Sequence, residues 1–311
     1  MSPRSHQLSR RTLLGGLLAL AAGAAVPPLA ARAAPNELLT RAAPGSGERL
    51  PLVGLGSWIT FNVGNDPVLL EACTAVMAAF FADGGRLIDS SPMYGSSQAT
   101  IGHGLAELDA TGQVYAADKL WTSDPGGGPA QIEASRRDWG VPHFDLLQVH
   151  NLVAWEANLE TLLAMREAGE VRHVGITTSH GRRHDAVEHI LREAPIDFVQ
   201  LTYNVVDREA EARLLPLARE RGIAVIANRP FQQKRLIRRL ADKPLPDWLA
   251  ETGATNWAQF ILKFIISHPD VTCAIPATTR VDHVRENLAA AREPLPDAAL
   301  RRRMADYVAA L

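Results

Sequence analysis

Short apolar runs alternate along the chain with longer stretches of helical spacing. Runs that end in polar residues predict strands at Leu52–Trp58, Arg86–Ser90, Val114–Leu120, Phe144–His150, Val171–Thr177, Phe198–Tyr203, Ile223–Asn228 and Val271–Pro276. Between them, the spacing predicts helices over Pro67–Asp83, Gln98–Leu108, Pro129–Trp139, Glu156–Ala168, Arg182–Glu193, Asp207–Arg221 and Asn256–Ser267. Asp282–Ala291 and Asp297–Ala310 are two closing helices. Gly84-Gly85, Gly169 and Gly222 stand where helix C-caps favour glycine. Eight short buried strands, each followed by a helix, imply a parallel sheet. The 278 residues from 34 to 311 suit a single α/β domain, a (β/α)8 TIM barrel. A doubly wound sheet is the rival, but one that binds a dinucleotide usually carries G-x-G-x-x-G after its first strand. Here Gly54-Leu55-Gly56 runs into Ser57-Trp58-Ile59 and lacks the third glycine.

Residues 1–33 have a different character. Arg4, Arg10 and Arg11 precede an apolar run from Leu13 to Val26, and no acid appears before Glu37. The run is shorter than the roughly 20 residues of a membrane span, so no stable span is expected in the mature protein. A basic head, a short apolar middle and Ala31-Arg32-Ala33 make a cleavable signal peptide, with the mature chain starting at Ala34. Ser9-Arg10-Arg11-Thr12-Leu13-Leu14 resembles the twin-arginine signal. That resemblance implies the twin-arginine export machinery as a partner of the precursor, a periplasmic destination, and export of an already folded protein.

Composition then narrows the function. The whole chain carries 32 basic and 34 acidic residues, a net of −2. Arg4, Arg10, Arg11 and Arg32 leave with the signal, so residues 34–311 carry 28 basic and 34 acidic groups, a net of −6. Such a balance argues against a nucleic-acid partner. Cys73 and Cys273 lie far apart without CxxC spacing, which excludes a disulfide scaffold and a thiolate zinc site. They read as two buried free thiols, and no metal is expected.

In a barrel the active site lies at the C-terminal strand ends. There the predicted strands deliver Asp89, Lys119 and His150, and Tyr94 follows Asp89 by five residues. Singly, each has an ordinary structural explanation: a turn cap, a snorkelling amine, a rim imidazole, a loop aromatic. Together they suit proton donation to a carbonyl oxygen. A tyrosine has a pKa near about 10, and an adjacent Lys119 ammonium is expected to lower it. Asp89 would hold Lys119 charged, and His150 would supply a second hydrogen bond to the oxygen. The site has no reductant of its own, so hydride must come from a cofactor.

Asp89, Tyr94, Lys119 and His150, in this order, resemble the tetrad of the aldo-keto reductases. The surrounding motifs agree: Gly54-Leu55-Gly56-Ser57-Trp58, Arg86-Leu87-Ile88-Asp89-Ser90-Ser91-Pro92-Met93-Tyr94-Gly95, Asp118-Lys119-Leu120-Trp121, Val149-His150-Asn151 and Gln200-Leu201-Thr202-Tyr203-Asn204. The resemblance runs from Leu52 to Ala290. It implies a (β/α)8 barrel that reduces aldehydes or ketones with a nicotinamide cofactor, usually NADP(H), with NAD(H) an alternative. Tyr94 would be the general acid, Lys119 and Asp89 would tune it, and His150 would orient the carbonyl.

The implied cofactor contacts are Thr177, Thr178, Gln200, Asn228, Arg229, Pro230, Phe231, Ile275, Thr278, Arg280, Glu286 and Asn287. Thr177-Thr178 replaces the family's Ser-Asn pair, and Asn228 stands where an aromatic normally stacks on the nicotinamide. Ala277 and His283 replace two of the residues that hold a 2′-phosphate, so NADPH use would rest largely on Arg280. Trp58, Phe61 and Trp121 would line the substrate pocket, with Trp155 as a further aromatic nearby. The departures at Thr178, Asn228 and Ala277 leave open an alternative, a cofactor-binding sensor or interaction protein with little turnover. A Schiff-base enzyme built on Lys119 is disfavoured by Asp89 and Tyr94 at the family's spacing.

Overall fold

The computed structural model describes residues 37–124 and 126–311. The export signal read at residues 1–33 lies outside them. Inside, an antiparallel hairpin of β1 (Thr40–Ala42) and β2 (Arg49–Pro51) precedes eight parallel strands. These are β3 (Leu55–Gly56), β4 (Leu87–Asp89), β5 (Tyr115–Leu120), β6 (Phe144–Val149), β7 (Val171–Thr177), β8 (Phe198–Thr202), β9 (Ala224–Asn228) and β10 (Cys273–Ala274), paired in sequence order. Helices α1 (Pro67–Ala82), α2 (Ser97–Glu107), α3 (Gly128–Trp139), α4 (Trp155–Glu167), α5 (His184–Glu193), α6 (Leu214–Glu220), α7 (Arg235–Leu240), α8 (Trp257–Ile266), α9 (Val281–Ala289) and α10 (Ala298–Ala310) lie between and after them. The first and last strands meet: Val53 bridges Ala274 and Gly56 bridges Ala277, both parallel. The expected (β/α)8 barrel is therefore the observed architecture.

Period-2 alternation sorts the strand residues between two cores. Leu87, Tyr115, Ala117, Leu146, Phe198, Ala224, Ile226 and Cys273 form one buried cluster inside the barrel. Ile88, Ala116, Leu147, Val149, Val199, Leu201, Val225 and Ala227 face the helices in the other. Followed toward the C-terminal strand ends, the inward positions turn polar: Leu87 gives way to Asp89, Ala117 to Lys119, Leu146 to Gln148, Phe198 to Gln200 and Ile226 to Asn228. The strand interiors stabilise the fold, and the same inward face presents its polar groups at one mouth. At the opposite end, Ala43 and Leu50 of the hairpin complete the inner cluster. Arg41 fastens this hairpin by donating to the carbonyls of Ile266 at 3.1 Å, His268 at 2.8 Å and Val271.

Some predicted elements change. The strand predicted at Leu52–Trp58 contracts to Leu55–Gly56, with Trp58 in a turn, and that at Val271–Pro276 contracts to Cys273–Ala274. The predicted helix Asp207–Arg221 breaks into a short 3-10 turn at Glu209–Glu211 and α6. Pro216 lacks the N–H that would reach back to Ala212, so a continuous helix is interrupted there. Both thiols are buried and unpaired, and burial raises Cys73 to about 11 and Cys273 to about 12.

The Gly-Leu-Gly run has a structural explanation at the barrel seam. Gly54 donates its N–H to Ala274 at 2.8 Å, and Gly56 donates to Pro276 at 3.0 Å. A Cβ on Gly54 would lie 2.8 Å from the Leu87 carbonyl oxygen, and one on Gly56 would lie 2.9 Å from that of Ile275. Gly54→Ala is therefore expected to destabilise the barrel by about 1–3 kcal/mol, the usual effect of overpacking. Urea unfolding monitored by tryptophan fluorescence checks this, and an unchanged midpoint contradicts it.

Candidate functional site

Strand register brings the polar ends together. Gly56 is paired with Asp89, Lys119 with Gln148, Thr177 with Gln200 and Thr202 with Asn228. Lys119 is fully buried, and its Nζ donates to Asp89 Oδ2 at 2.5 Å and to the Ser90 carbonyl at 2.6 Å. Asp89 Oδ1 in turn accepts from Gln200 Nε2 at 2.8 Å and Gln148 Nε2 at 3.3 Å. Burial alone would lower the Lys119 pKa, but Asp89 and then Tyr94 outweigh it, so the net shift is upward. The amine is held charged.

Tyr94 ends a 3-10 turn at Pro92–Tyr94, entered from Ser91, whose side chain accepts the Met93 N–H. Its ring centroid is 5.0 Å from Lys119 Nζ and 5.6 Å from the His150 ring, which it meets edge-on. Lys119 was expected to lower the Tyr94 pKa below its ordinary value. Burial instead raises it, Lys119 opposes that only in part, and Asp89 adds to the rise. Tyr94 therefore carries its proton at neutral pH.

His150 follows β6 and is buried. Burial, then the Lys119 charge, lowers its pKa to about 3, so the imidazole is neutral. Its Nδ1 lies 2.8 Å from Ser91 Oγ. Ser91 Oγ also accepts the Met93 N–H at 3.2 Å and has its O–H free to donate, and we assign that donation to Nδ1. That assignment puts the imidazole proton on Nε2, as a donor to the cleft. On the outer face of β5, Asp118 Oδ2 accepts from Gln98 Nε2 at 2.5 Å, and burial raises its pKa to about 7 against the pull of Lys119.

A cleft of about 380 Å³ opens over Asp89, Tyr94 and His150. Thr177, Thr178, Gln200, Asn228, Arg229, Pro230, Phe231, Ile275 and Trp58 also border it. Asn228 is tied into the rim: Nδ2 donates to the Thr178 carbonyl at 2.8 Å and Gln200 Oε1 at 3.3 Å, while Oδ1 accepts from Thr202 at 2.8 Å. The remaining sequence-derived residues lie elsewhere. Phe61 is fully buried in the outer core, because the turn after Gly56 directs it there. Trp121 lies outside the cleft, 41% exposed, with its backbone held by the Gln131 side chain. Trp155 packs against the outer core. Thr278, Glu286 and Asn287 do not border the cleft. Arg280 is also off it, with its guanidinium closed on Asp282 in the first turn of α9.

Ser91, Gln148, Ile59 and Met93 also belong to the site, though none was predicted from the sequence. Gln148 was accessible through alternation, since it shares a strand face with His150. Ser91 and Met93 both precede Tyr94 in the Ser-Ser-Pro-Met-Tyr-Gly motif, but their contacts depend on the turn.

A model of the aldo/keto reductase family matches residues 52–303. The chain belongs to the aldo/keto reductase family. Among curated relatives of this reductase, a methylglyoxal reductase of Escherichia coli, YeaE, is 28% identical over 262 residues, covering 81% of this chain and 89% of its own. An NADH-specific methylglyoxal reductase of the same species is 22% identical, covering 83% and 95%. A solved aldo-keto reductase of Klebsiella pneumoniae, in complex with NADPH, superposes with a TM-score of 0.72 at 21% identity, covering 88% and 95%. In the reductase, Ser91→Ala is expected to mix the His150 tautomers and reduce kcat about 2–10-fold, the range for one neutral hydrogen bond. Nitrogen-15 NMR of His150 checks it. The wild type should show a neutral ring protonated on Nε2 from pH 5 to 8. A ring that titrates in that window, or an unchanged spectrum in the variant, contradicts the assignment.

Proposed function

We propose that this protein is an exported, NAD(P)H-dependent carbonyl reductase in which Tyr94 is the general acid. The observation that carries the reading is the grouping of a buried Lys119–Asp89 pair, a protonated tyrosine and a neutral histidine over one cleft. Tyr94 O–H and His150 Nε2–H are two donors for one carbonyl oxygen. As negative charge develops there, the fixed Lys119 ammonium stabilises it in a site where water screens poorly. Tyr94 passes its proton to that oxygen, and Lys119 stabilises the phenolate left behind.

A nicotinamide cofactor fits the chain's own residues. Thr177 is buried at the cleft wall, accepts the Asn151 N–H at 3.0 Å and keeps its O–H for a carboxamide, beside Thr178 and Gln200. Arg229, half-buried on the cleft, makes no ion pair among the described residues. Burial lowers its pKa, Asp207 opposes, and the neighbouring charges of Arg235 and Arg182 lower it further. Such an unpaired cation suits phosphate oxygens. Asn228 removes the expected stacking aromatic, and Phe231 is the aromatic that borders the cleft instead. When bound, the cofactor supplies the hydride. Arg280, bound to Asp282, is a poor anchor for a 2′-phosphate, so both NADP(H) and NAD(H) are proposed as cofactors.

The export proposal rests on Arg10-Arg11 and the apolar run of the first 33 residues. The mature enzyme would be periplasmic, delivered folded by the twin-arginine machinery.

Tyr94→Phe tests the function. It is expected to lower kcat for aldehyde reduction by about 10²–10⁴-fold, the usual contribution of general acid catalysis, while NADPH still binds. Turnover close to wild type overturns the assignment. For export, Arg10→Lys with Arg11→Lys should retain the full-length protein in the cytoplasm. Unchanged periplasmic fractionation contradicts that part.

A further inference from the structure

Asp118 is an acid that the chemistry above does not use. It lies on the outer face of β5, one residue before Lys119, and is fully buried. Its Oδ1 has no hydrogen-bond partner among the described residues. A buried carboxyl with one oxygen unmet is costly, and burial raises its pKa to about 7. The neighbouring outward positions of β5 hold Ala116 and Leu120, which carry no such cost. Asp118 Oδ2 accepts from Gln98 Nε2 at 2.5 Å, and the same amide nitrogen donates to Ser135 Oγ at 2.8 Å. Both N–H groups of that amide are thereby used. Gln98 stands in the first turn of α2, four residues after Tyr94, and Ser135 is on α3. Further along α2 the helix is fixed by packing, since a Cβ on Gly102 would lie 2.0 Å from the Asp138 carbonyl oxygen. Nearer Tyr94, the Ser96 N–H donates to Asn62 Oδ1 at 2.9 Å. The Gln98–Asp118 bond joins the start of α2 to the strand that carries Lys119.

We infer that Asp118 is a positioning residue, which through Gln98 holds the turn of Tyr94 at its working distance from Lys119. This inference rests on the reductase reading. Tyr94 and Lys119 reach the cleft from different elements, a 3-10 turn and β5, with the ring centroid 5.0 Å from Nζ. A misplacement of about 1 Å can cost about 100-fold in rate, so the turn must be fixed to the strand. A carboxylate makes the strongest such tie, because a hydrogen bond to an ionised acceptor is roughly twice as strong as a neutral one. Neither Asp118 nor Gln98 borders the cleft, so the tie acts from behind β5 without touching substrate or cofactor.

The test is a paired variant, Asp118→Val with Gln98→Met. It removes the tie without stranding either partner, a replacement that can be nearly neutral for folding. It should melt near wild type but lower kcat for aldehyde reduction about tenfold, with KM for NADPH unchanged. Gln98→Met alone should show the same loss. Asp118→Asn keeps an acceptor for Gln98 and should hold kcat within about threefold of wild type, losing only the charge assistance. With Tyr94→Phe already present, the paired substitution should slow the residual reaction no further. Wild-type kcat in the paired variant, Asp118→Asn as slow as the pair, or an undiminished loss in the Tyr94→Phe background overturns the positioning role. Carbon-13 NMR of the Tyr94 ring, assigned by its absence from Tyr94→Phe, reads the position without turnover. If that resonance moves in the paired variant and stays in Asp118→Asn while no aldehyde is reduced, the positioning role stands and the reductase reading falls. A resonance unmoved in the paired variant overturns the positioning role alone.

Discussion

Lys119 and Asp89 are two full charges buried in the mouth of an otherwise apolar barrel, and the rest of the site depends on their pairing. Taking each ion out of water costs several kcal/mol, so the pair persists only when its remaining hydrogen-bonding capacity is met. The barrel meets it from several strands: the Ser90 carbonyl serves the ammonium, and the Gln148 and Gln200 amides serve the carboxylate. Removing one partner would leave the other charge uncompensated, an effect of about 3–5 kcal/mol. Closure of the barrel between Val53–Gly56 and Ala274–Ala277 is therefore also a requirement of the chemistry, because it brings these strand ends onto one rim.

Burial, with one fixed cation alongside, then sets the other protonation states. The same Lys119 charge that favours loss of the Tyr94 proton also opposes protonation of His150, and burial keeps both groups neutral. On the proposed function these are two neutral donors backed by one positive charge, a preorganised environment for a developing oxyanion. The loops around this rim are strained to match. Of eleven non-glycine residues with positive φ among the described residues, ten lie in the loops after β3, β6, β7 and β9, and only Asp109 lies elsewhere. Two of the ten, Asn151 and Leu152, directly follow His150, and Arg183 donates to both of their carbonyls at 3.0 Å. The strands supply the rigid frame, and apart from Asp109 the strain lies in segments that shape the cleft.

Much of this was legible in the sequence, for a physical reason. Barrel strands alternate inward and outward, and function gathers at their C-terminal ends, so Asp89, Lys119 and His150 could be placed from strand boundaries alone. The glycines of Gly54-Leu55-Gly56 were correctly separated from a phosphate-binding turn, although their role at the seam needed the approach of Leu87 and Ile275. What escaped depends on three-dimensional detail. The net direction of the Tyr94 shift is a balance of burial against charge, and sequence reveals only the charge. Phe61 and Trp58 are three residues apart, yet a single turn sends one to the core and the other to the cleft. Arg280 looked free for a phosphate because its pairing with Asp282 is a matter of side-chain direction.

The central claim is that Lys119 and Tyr94 act as one unit on the carbonyl oxygen. A double-mutant cycle with Lys119→Met and Tyr94→Phe, read in kcat/KM for an aldehyde, tests it most directly. If the lysine acts through the tyrosine, the double variant should be little slower than Tyr94→Phe alone. Losses that multiply across the two substitutions would show independent contributions and contradict the account.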